Sequence, residues 1–119
     1  NRAPAMLLEI LNRKLNYFGL QLNKINTQKC KASQYNHMTK EYKPKTLSER
    51  WTFVGGHKLQ RDLYSAFLIS NVSKDLESFD QQLCEQNFNN FLCLHNNKIN
   101  ELTKYKESNN YKFLSCMGI

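Results

Sequence analysis

Asp62 is the residue of this sequence whose position most needs a chemical explanation. It lies in the stretch KLQRDLYSAFLIS, residues 58–70, where an Arg–Asp pair leads into the apolar run from Leu63 to Ile69. A charge beside a buried helix is costly unless it is paired or coordinates a metal. As an N-cap, Asp62 would accept hydrogen bonds from the first free amides of the helix. As a ligand, it would give a hard cation such as Mg²⁺ one of its oxygens. Spacing alone leaves both roles open.

A basic block runs from Lys24 to Arg61. It holds nine Lys or Arg residues against two acids, whereas the eight basic residues elsewhere are matched by eight acids, so the block carries the whole net charge of +7. Tyr35, Tyr42 and Trp51 are interleaved with these charges, which indicates contact with a phosphate backbone. A solvated, lysine-rich loop would have the same composition. The residues expected to bind nucleic acid are Lys29, Lys31, Lys40, Lys43, Lys45, Arg50, Lys58 and Arg61.

The cysteines and histidines are not spaced as a metal site or a disulfide framework. Four cysteines (30, 84, 93 and 116) and three histidines (37, 57 and 95) are scattered without a CxxC pair. Reduced, cytosolic thiols are therefore expected, with Cys84 and Cys93 packing as small apolar residues. His95 falls on the apolar stripe of a predicted helix and is expected in or beside the core. No apolar run approaches the roughly 20 residues that span a bilayer, so no membrane contact is expected.

The N-terminal half of the chain predicts one helix and little regular structure after it. Pro4 suits a first helical turn and Gly19 a C-terminal cap, with apolar residues at helical spacing between them. Residues 20–26 alternate and predict a short strand. Residues 27–56 are polar and basic, and we expect mostly loop, with a short strand at 50–54 before the Gly55–Gly56 turn.

The C-terminal half predicts two helices. One runs from Asp62 to Val72 and is apolar on most sides, as expected for an element buried on several faces. The second runs from about Asp75 to Leu102, with Ser73 or Asp75 as its cap and a stripe of apolar residues at three- and four-residue steps. The tail from residue 105 onward is expected to fray.

Three stretches of this chain resemble the C-terminal part of the OrfB/TnpB proteins of insertion-sequence transposons. They are NYFGLQLNKINTQKCKASQYNH, LSERW and QRDLYSAFLI, and the resemblance covers roughly residues 7–102. Members of that family are described as transposases and resemble RNA-guided DNA endonucleases. Its most specific element is the RD pair before a small, apolar helix, which resembles the third RuvC motif of an RNase H-like fold. The resemblance implies that Asp62 is a catalytic Mg²⁺ ligand preceded by Arg61, that DNA and a guide RNA are the partners, and that the chain works in a prokaryotic cytoplasm.

The chain departs from that family at the zinc ribbon, which many members form from two CxxC knuckles. The corresponding positions here are Cys30, Ser33, Phe53 and Gly56, so one thiol stands where four are needed. We therefore expect no zinc. The loops of this region should instead be held by packing and by hydrogen bonds, for which the candidates are Ser33, Gln34, Asn36 and His37.

The expected fold is a mostly helical α/β piece: a partial RNase H-like (RuvC) C-terminal portion with a long, amphipathic C-terminal helix. Its segments are a core helix and strand (1–26), a basic degenerate zinc-ribbon insertion (27–57), the third RuvC motif with its helix (58–72), and the C-terminal helix and tail (73–119).

The expected function is that of a C-terminal fragment of a TnpB-like DNA endonuclease. RuvC-type chemistry needs several carboxylates around its metal ions, so the other ligands would come from an upstream RuvC half of the parent protein, and this chain alone should not cut DNA. The alternative is a catalytically inactive, basic, nucleic-acid-binding remnant. A third possibility is a partner-docking protein that uses the Phe stripe of its long helix.

Overall fold

The first helix, α1 (Arg2–Tyr17), forms from local signals and ends as predicted. The computed structural model describes residues 2–119, with side chains described from residue 3 onward. Gly19 has a φ of 74° and lies just past the helix. The Leu20 amide donates to the Leu15 carbonyl at 2.8 Å and the Gly19 amide to Asn16 at 3.0 Å, which is a Schellman cap. The apolar residues of α1 remain largely exposed, with 57% of Leu7 accessible to solvent.

The strand predicted over residues 20–26 is wrong, because this stretch has no regular structure. A strand needs a neighbour to accept its hydrogen bonds, and here the backbone bonds singly to other elements. The Leu22 amide donates to Asn12 Oδ1 at 3.4 Å, and the Asn26 amide donates to the Leu76 carbonyl at 2.7 Å. Asn26 then caps a short helix, α2 (Thr27–Cys30), that the sequence did not indicate.

Two small antiparallel hairpins follow. The first pairs β1 (Tyr35–Asn36) with β2 (Glu41–Tyr42), and the second pairs β3 (Trp51–Val54) with β4 (His57–Gln60). The strand predicted before the Gly55–Gly56 turn is confirmed as β3, whereas β1, β2 and β4 were expected to be loop or went unnoticed. Both turn glycines have positive φ, as a two-residue hairpin turn requires.

Helix α3 (Arg61–Ser70) begins directly after β4 and is capped by Gln60. Gln60 Oε1 accepts a hydrogen bond from the Leu63 amide at 2.9 Å. Asp62 is the second residue inside the helix, so its interpretation as the N-cap is wrong. The helix also ends before Val72, which instead forms an isolated bridge with Phe79.

The long helix α4 (Gln81–Asn109) starts later and ends later than predicted. Its N-cap is Asp80, whose Oδ1 accepts a hydrogen bond from the Leu83 amide at 3.1 Å. The prediction that Ser73 or Asp75 caps this helix is therefore wrong. Asp75 organises the preceding turn, where its Oδ1 accepts from the Glu77 amide at 2.9 Å and from the Ser73 hydroxyl at 3.0 Å. Sequence spacing could not choose between these two carboxylates, which lie five residues apart ahead of the same helical stripe of apolar residues.

The core lies where α3, α4 and the β3–β4 hairpin meet. Its buried apolar residues are Cys30, Val54, Leu59, Tyr64, Phe67, Leu68, Phe79, Cys84 and Phe88. Cys84 is buried as predicted, but Cys93 is exposed. The two lie nine residues apart on one helix, which at 3.6 residues per turn places them on opposite sides. The architecture is therefore mixed α/β and about half helical, with a long C-terminal helix, as expected in outline.

A buried histidine ties the first hairpin to this core. The His37 amide donates to the Tyr64 hydroxyl at 3.0 Å, and that hydroxyl lies 2.6 Å from His37 Nδ1. Because the hydroxyl oxygen already accepts the amide proton, we assign its own proton to a bond with Nδ1. The His37 carbonyl also accepts from Gln81 Nε2 at the start of α4. Burial lowers the pKa of His37, while the Glu85 charge works weakly against that effect.

The other residues expected in this polar network take part in different ways. Asn36 Oδ1 accepts from the amides of Met38 and Thr39 at 2.9 and 3.3 Å. Ser33 and Gln34 contribute their backbone carbonyls, to Lys45 Nζ and the Lys43 amide. The loops of residues 31–45 are thus held by hydrogen bonds.

Truncating a core leucine should destabilise the protein far more than truncating an exposed one. Leu68 is fully buried and Leu47 is 79% exposed. We expect Leu68→Ala to lower the free energy of unfolding by about 2–5 kcal/mol and Leu47→Ala by less than about 0.5 kcal/mol. Urea unfolding followed by circular dichroism measures both, and equal losses would contradict the core described above.

Stability should fall as the pH drops below the ordinary histidine pKa of 6.5. The pKa of His37 is depressed in the folded protein, so in that window the unfolded chain binds a proton that the folded chain does not. Urea unfolding between pH 8 and pH 5 tests this. His37→Gln should flatten the slope, and His57→Gln, at an exposed histidine, should keep it. A slope that survives in His37→Gln would contradict the assignment.

Candidate functional site

Asp62 lies on the surface at the junction between β4 and α3. Its side chain is exposed, and its Oδ2 accepts a long hydrogen bond of 3.4 Å from Gln60 Nε2. The Leu63 amide in the first turn of α3 is bonded by the Gln60 side chain, so the fold does not use the Asp62 carboxylate as the N-cap. The helix dipole still favours an acid in the first turn. Asp62 is therefore a carboxylate that remains open to solvent at the end of a strand.

Gln60 is the residue that organises this junction, and sequence reasoning missed it. It is only 4% exposed. Its Oε1 caps α3, its Nε2 donates to the Met117 carbonyl at 3.2 Å as well as to Asp62, and its backbone amide donates to His95 Nε2 at 2.9 Å. Glutamine is not a preferred N-cap, so no local signal pointed to this role.

His95 is confirmed as a core residue. It is buried on α4, its Nε2 accepts the Gln60 amide, and its Nδ1 lies 3.0 Å from Asn96 Oδ1. Since Nε2 is an acceptor, we place the ring proton on Nδ1, where it is donated to Asn96. Both ring nitrogens are therefore occupied within the protein.

The tail was expected to fray and instead folds back onto this junction. Residues Ser115–Met117 form a 3₁₀ turn. The Gly118 carbonyl accepts from Trp51 Nε1 at 3.0 Å, and a Cβ built on Gly118 would lie 2.7 Å from Arg50 Cβ. Gly118, which has a φ of 72°, is thus required here both by conformation and by space.

The described residues form no metal-binding cluster around Asp62. Among residues 2–119, no three His, Cys, Asp or Glu side chains come together as metal ligands would. Cys30, the one cysteine at the knuckle positions, is buried, and its Sγ contacts the Leu76 carbonyl at 3.6 Å. Burial, followed by the charges of Asp75 and Glu77, raises the pKa of this thiol, which keeps it protonated. Phe53, at another knuckle position, is 66% exposed.

The basic residues expected to bind nucleic acid divide into two groups. Three of them are bonded within the protein. Arg61 Nη1 donates to the Thr46 and Glu49 carbonyls at 2.8 and 3.1 Å, Lys45 Nζ donates to the Ser33 carbonyl at 2.9 Å, and Lys29 pairs with Glu77 at 3.2 Å. The two Nη1 bonds commit Arg61 to holding the loop, although its buried Nε has no partner among the described residues.

The second group faces solvent. Lys31, Lys40, Lys43 and Lys58 are exposed, and Arg50 is half-buried beside the tail. Lys58 Nζ lies 4.6 Å from the centre of the Trp51 ring, a cation–π contact. This part of the basic block can meet an anionic partner without breaking contacts that hold the fold.

Comparisons with protein-family models, with curated proteins and with solved structures gave no match for this chain. Within residues 2–119, none of the helices combines the length and the apolar character needed to cross a membrane.

Substituting Gln60 should cost more stability than substituting Asp62. Gln60→Ala removes the cap of α3 and leaves two part-buried groups, the Leu63 amide and the Met117 carbonyl, without this partner, for a loss of about 1–3 kcal/mol. Asp62→Asn should stay within about 0.5 kcal/mol of the wild type, since the residue is exposed and does not cap the helix. Thermal and urea unfolding rank the two variants, and the reverse order would restore Asp62 as the capping residue.

Proposed function

We propose that this chain is the C-terminal part of a TnpB-like, metal-dependent DNA endonuclease. In this proposal Asp62 supplies one ligand of a catalytic Mg²⁺ site, and the exposed basic residues contact DNA and a guide RNA. The remaining carboxylates come from an upstream RuvC half with an RNase H-like fold, and the whole protein acts in a prokaryotic cytoplasm. The chain by itself does not cut DNA.

The observation that carries this proposal is the position of Asp62. It is an exposed carboxylate at the carboxyl end of a strand, and Gln60 has taken over the capping role that would otherwise explain it. The same RD pair and apolar helix carry the resemblance to the third RuvC motif. A carboxylate that the fold does not need as a cap is available for a ligand.

Asp62 fits Mg²⁺ only as a shared ligand. Mg²⁺ is bound by one or two carboxylates together with phosphate oxygens and water, and Asp62 can be one of them. When bound, the ion would neutralise charge on the phosphodiester during hydrolysis. The part played by this chain is to hold Asp62 on a rigid strand–helix junction, fixed by the buried Gln60.

The alternative is a basic nucleic-acid-binding remnant without catalysis. It is favoured because, in the described part of the chain, Asp62 belongs to no group of three or more His, Cys, Asp or Glu side chains that could hold a metal ion. Both functions use the exposed lysines, so they differ only in whether a divalent ion binds at Asp62 when DNA is present.

Manganese broadening of NMR signals tests the metal role directly. We expect Mn²⁺, added to the ¹⁵N-labelled chain with a DNA oligonucleotide, to broaden the amide signals of residues 60–64 most strongly. Asp62→Asn should abolish this broadening and leave salt-dependent DNA binding intact, because it removes a metal ligand and no phosphate contact.

Glu107→Gln, at an exposed acid on α4, is the matched control and should change nothing. DNA binding without broadening at Asp62 would select the remnant instead of the nuclease. Absence of salt-dependent DNA binding would overturn both functions.

A further inference from the structure

The outer face of the β3–β4 hairpin borders a cleft of about 310 Å³. We call it the β3 cleft. It lies between β3 and the loop of residues 43–49. The lining residues that could bind a ligand are Gln34, Asn36, Lys43, Lys45, Trp51 and Phe53. Its lining thus combines aromatic rings, ammonium groups and side-chain amides.

Phe53 is the least expected residue of this lining. It is 66% exposed, although Val54, the next residue of the strand, is fully buried. Side chains alternate along a strand, so Phe53 projects from the outer face of the hairpin while Val54 enters the core. Among the described residues its ring packs against no other aromatic ring, unlike the stacked rings of the core. An exposed ring of this kind has its face free for a ligand.

Cations lie on the same outer face and at the rim. The register pairs Phe53 directly with Lys58, which places both on one side of the hairpin, and Lys58 also contacts the Trp51 ring. Lys43 and Lys45 line the cleft, where Glu49 is the only acid of the lining. Burial, and then the charge of Arg61, lowers the pKa of Lys45. The negative charge of a bound anion would raise the pKa of Lys45 again and favour its charged form.

We propose that the β3 cleft binds single-stranded nucleic acid, with an unpaired base stacked on Phe53 and a neighbouring phosphate bound by Lys43 and Lys45. Aromatic platforms beside basic residues are the usual means of binding single strands. Gln34 and Asn36 also line the cleft, where their side-chain NH₂ groups could donate to the polar edge of a base. This inference rests on the nucleic-acid contact of the proposed function and adds the form of the nucleic acid and the ring that holds it.

Duplex DNA does not suit this cleft, because the faces of its bases are stacked on each other and closed to Phe53. An acidic peptide could bind the lysines, but it would leave the exposed ring without a partner. Unpaired bases use the ring and the cations together, and for that reason they are the ligand the cleft favours.

Trp51 is the only tryptophan of the chain and lines the β3 cleft, so its fluorescence reports binding there. We expect an oligothymidylate to quench it, and a duplex of the same length to bind at least about tenfold more weakly. Phe53→Ala should weaken oligothymidylate binding about 5- to 100-fold. Leu94→Ala, at an exposed apolar residue of α4 outside the cleft lining, should leave it unchanged.

A double-mutant cycle with an abasic oligonucleotide separates ring stacking from general adhesion. The abasic strand should bind the wild type as weakly as the normal strand binds Phe53→Ala, and the two changes together should cost little more than either alone. Lys43→Gln should reduce the slope of log affinity against log salt by about 0.7, whereas Lys104→Gln on α4 should not.

Three results would overturn the inference: unchanged affinity in Phe53→Ala, equal affinity for the duplex, or displacement of the oligonucleotide by polyglutamate at matched charge. Failure of the single-strand proposal can be distinguished from failure of the proposed metal binding at Asp62. Phe53-dependent binding of single strands without Mn²⁺ broadening at Asp62 would remove the nuclease and keep the cleft, and the opposite pattern would do the reverse.

Discussion

The hydrogen bonds of Gln60 connect every element around the candidate site. Its buried side chain caps α3 and reaches the tail, while its backbone amide is accepted by His95 of α4. A buried amide must find partners, since leaving one unpaired costs about 1–3 kcal/mol. Because its partners lie on three separate elements, satisfying Gln60 fixes the direction in which α3 leaves β4. That direction in turn places Asp62 at the surface.

The buried pair of His37 and Tyr64 likewise fixes the position of the β1–β2 hairpin against the helices. His37 and Tyr64 satisfy each other, and the His37 carbonyl is bonded by Gln81. The hydrogen bonds of His37 thus help to tie the loops to α3 and α4, alongside a bond from the Ser65 hydroxyl to the Ala32 carbonyl, and Cys30 contributes its bulk to the core. Buried hydrogen bonds therefore join local hairpins to distant helices.

The surface of the protein therefore carries two kinds of polar and charged residue: those that stabilise the fold and those that have no structural role. Arg61 and Lys45 bond to backbone carbonyls and stabilise the loop between the hairpins. Asp62, Phe53 and the exposed lysines have no comparable structural role, and the proposals depend on them. They also depend on Lys45, because its ammonium group keeps two donors beyond the one that the Ser33 carbonyl accepts. Composition does not distinguish among these charged residues. Only their contacts show which of them stabilise the fold and which are free to bind a ligand.

The sequence by itself determined what depends on local periodicity and local caps. It predicted α1 with its Gly19 cap, β3 with its glycine turn, the existence of α3 and α4, and the burial of Cys84 and His95. These are set by neighbours three or four residues away or by a turn of two residues.

Only the tertiary structure decided which alternating stretch finds a strand partner, which acid caps α4, and that Gln60 rather than Asp62 caps α3. It also placed Phe53 outside and the tail against Trp51. Each of these depends on groups far apart in the chain, such as Gln60 with His95 or Trp51 with Gly118. A buried polar group bonds to whichever partner the packing of distant elements brings close to it. Sequence spacing does not show which distant residues come together.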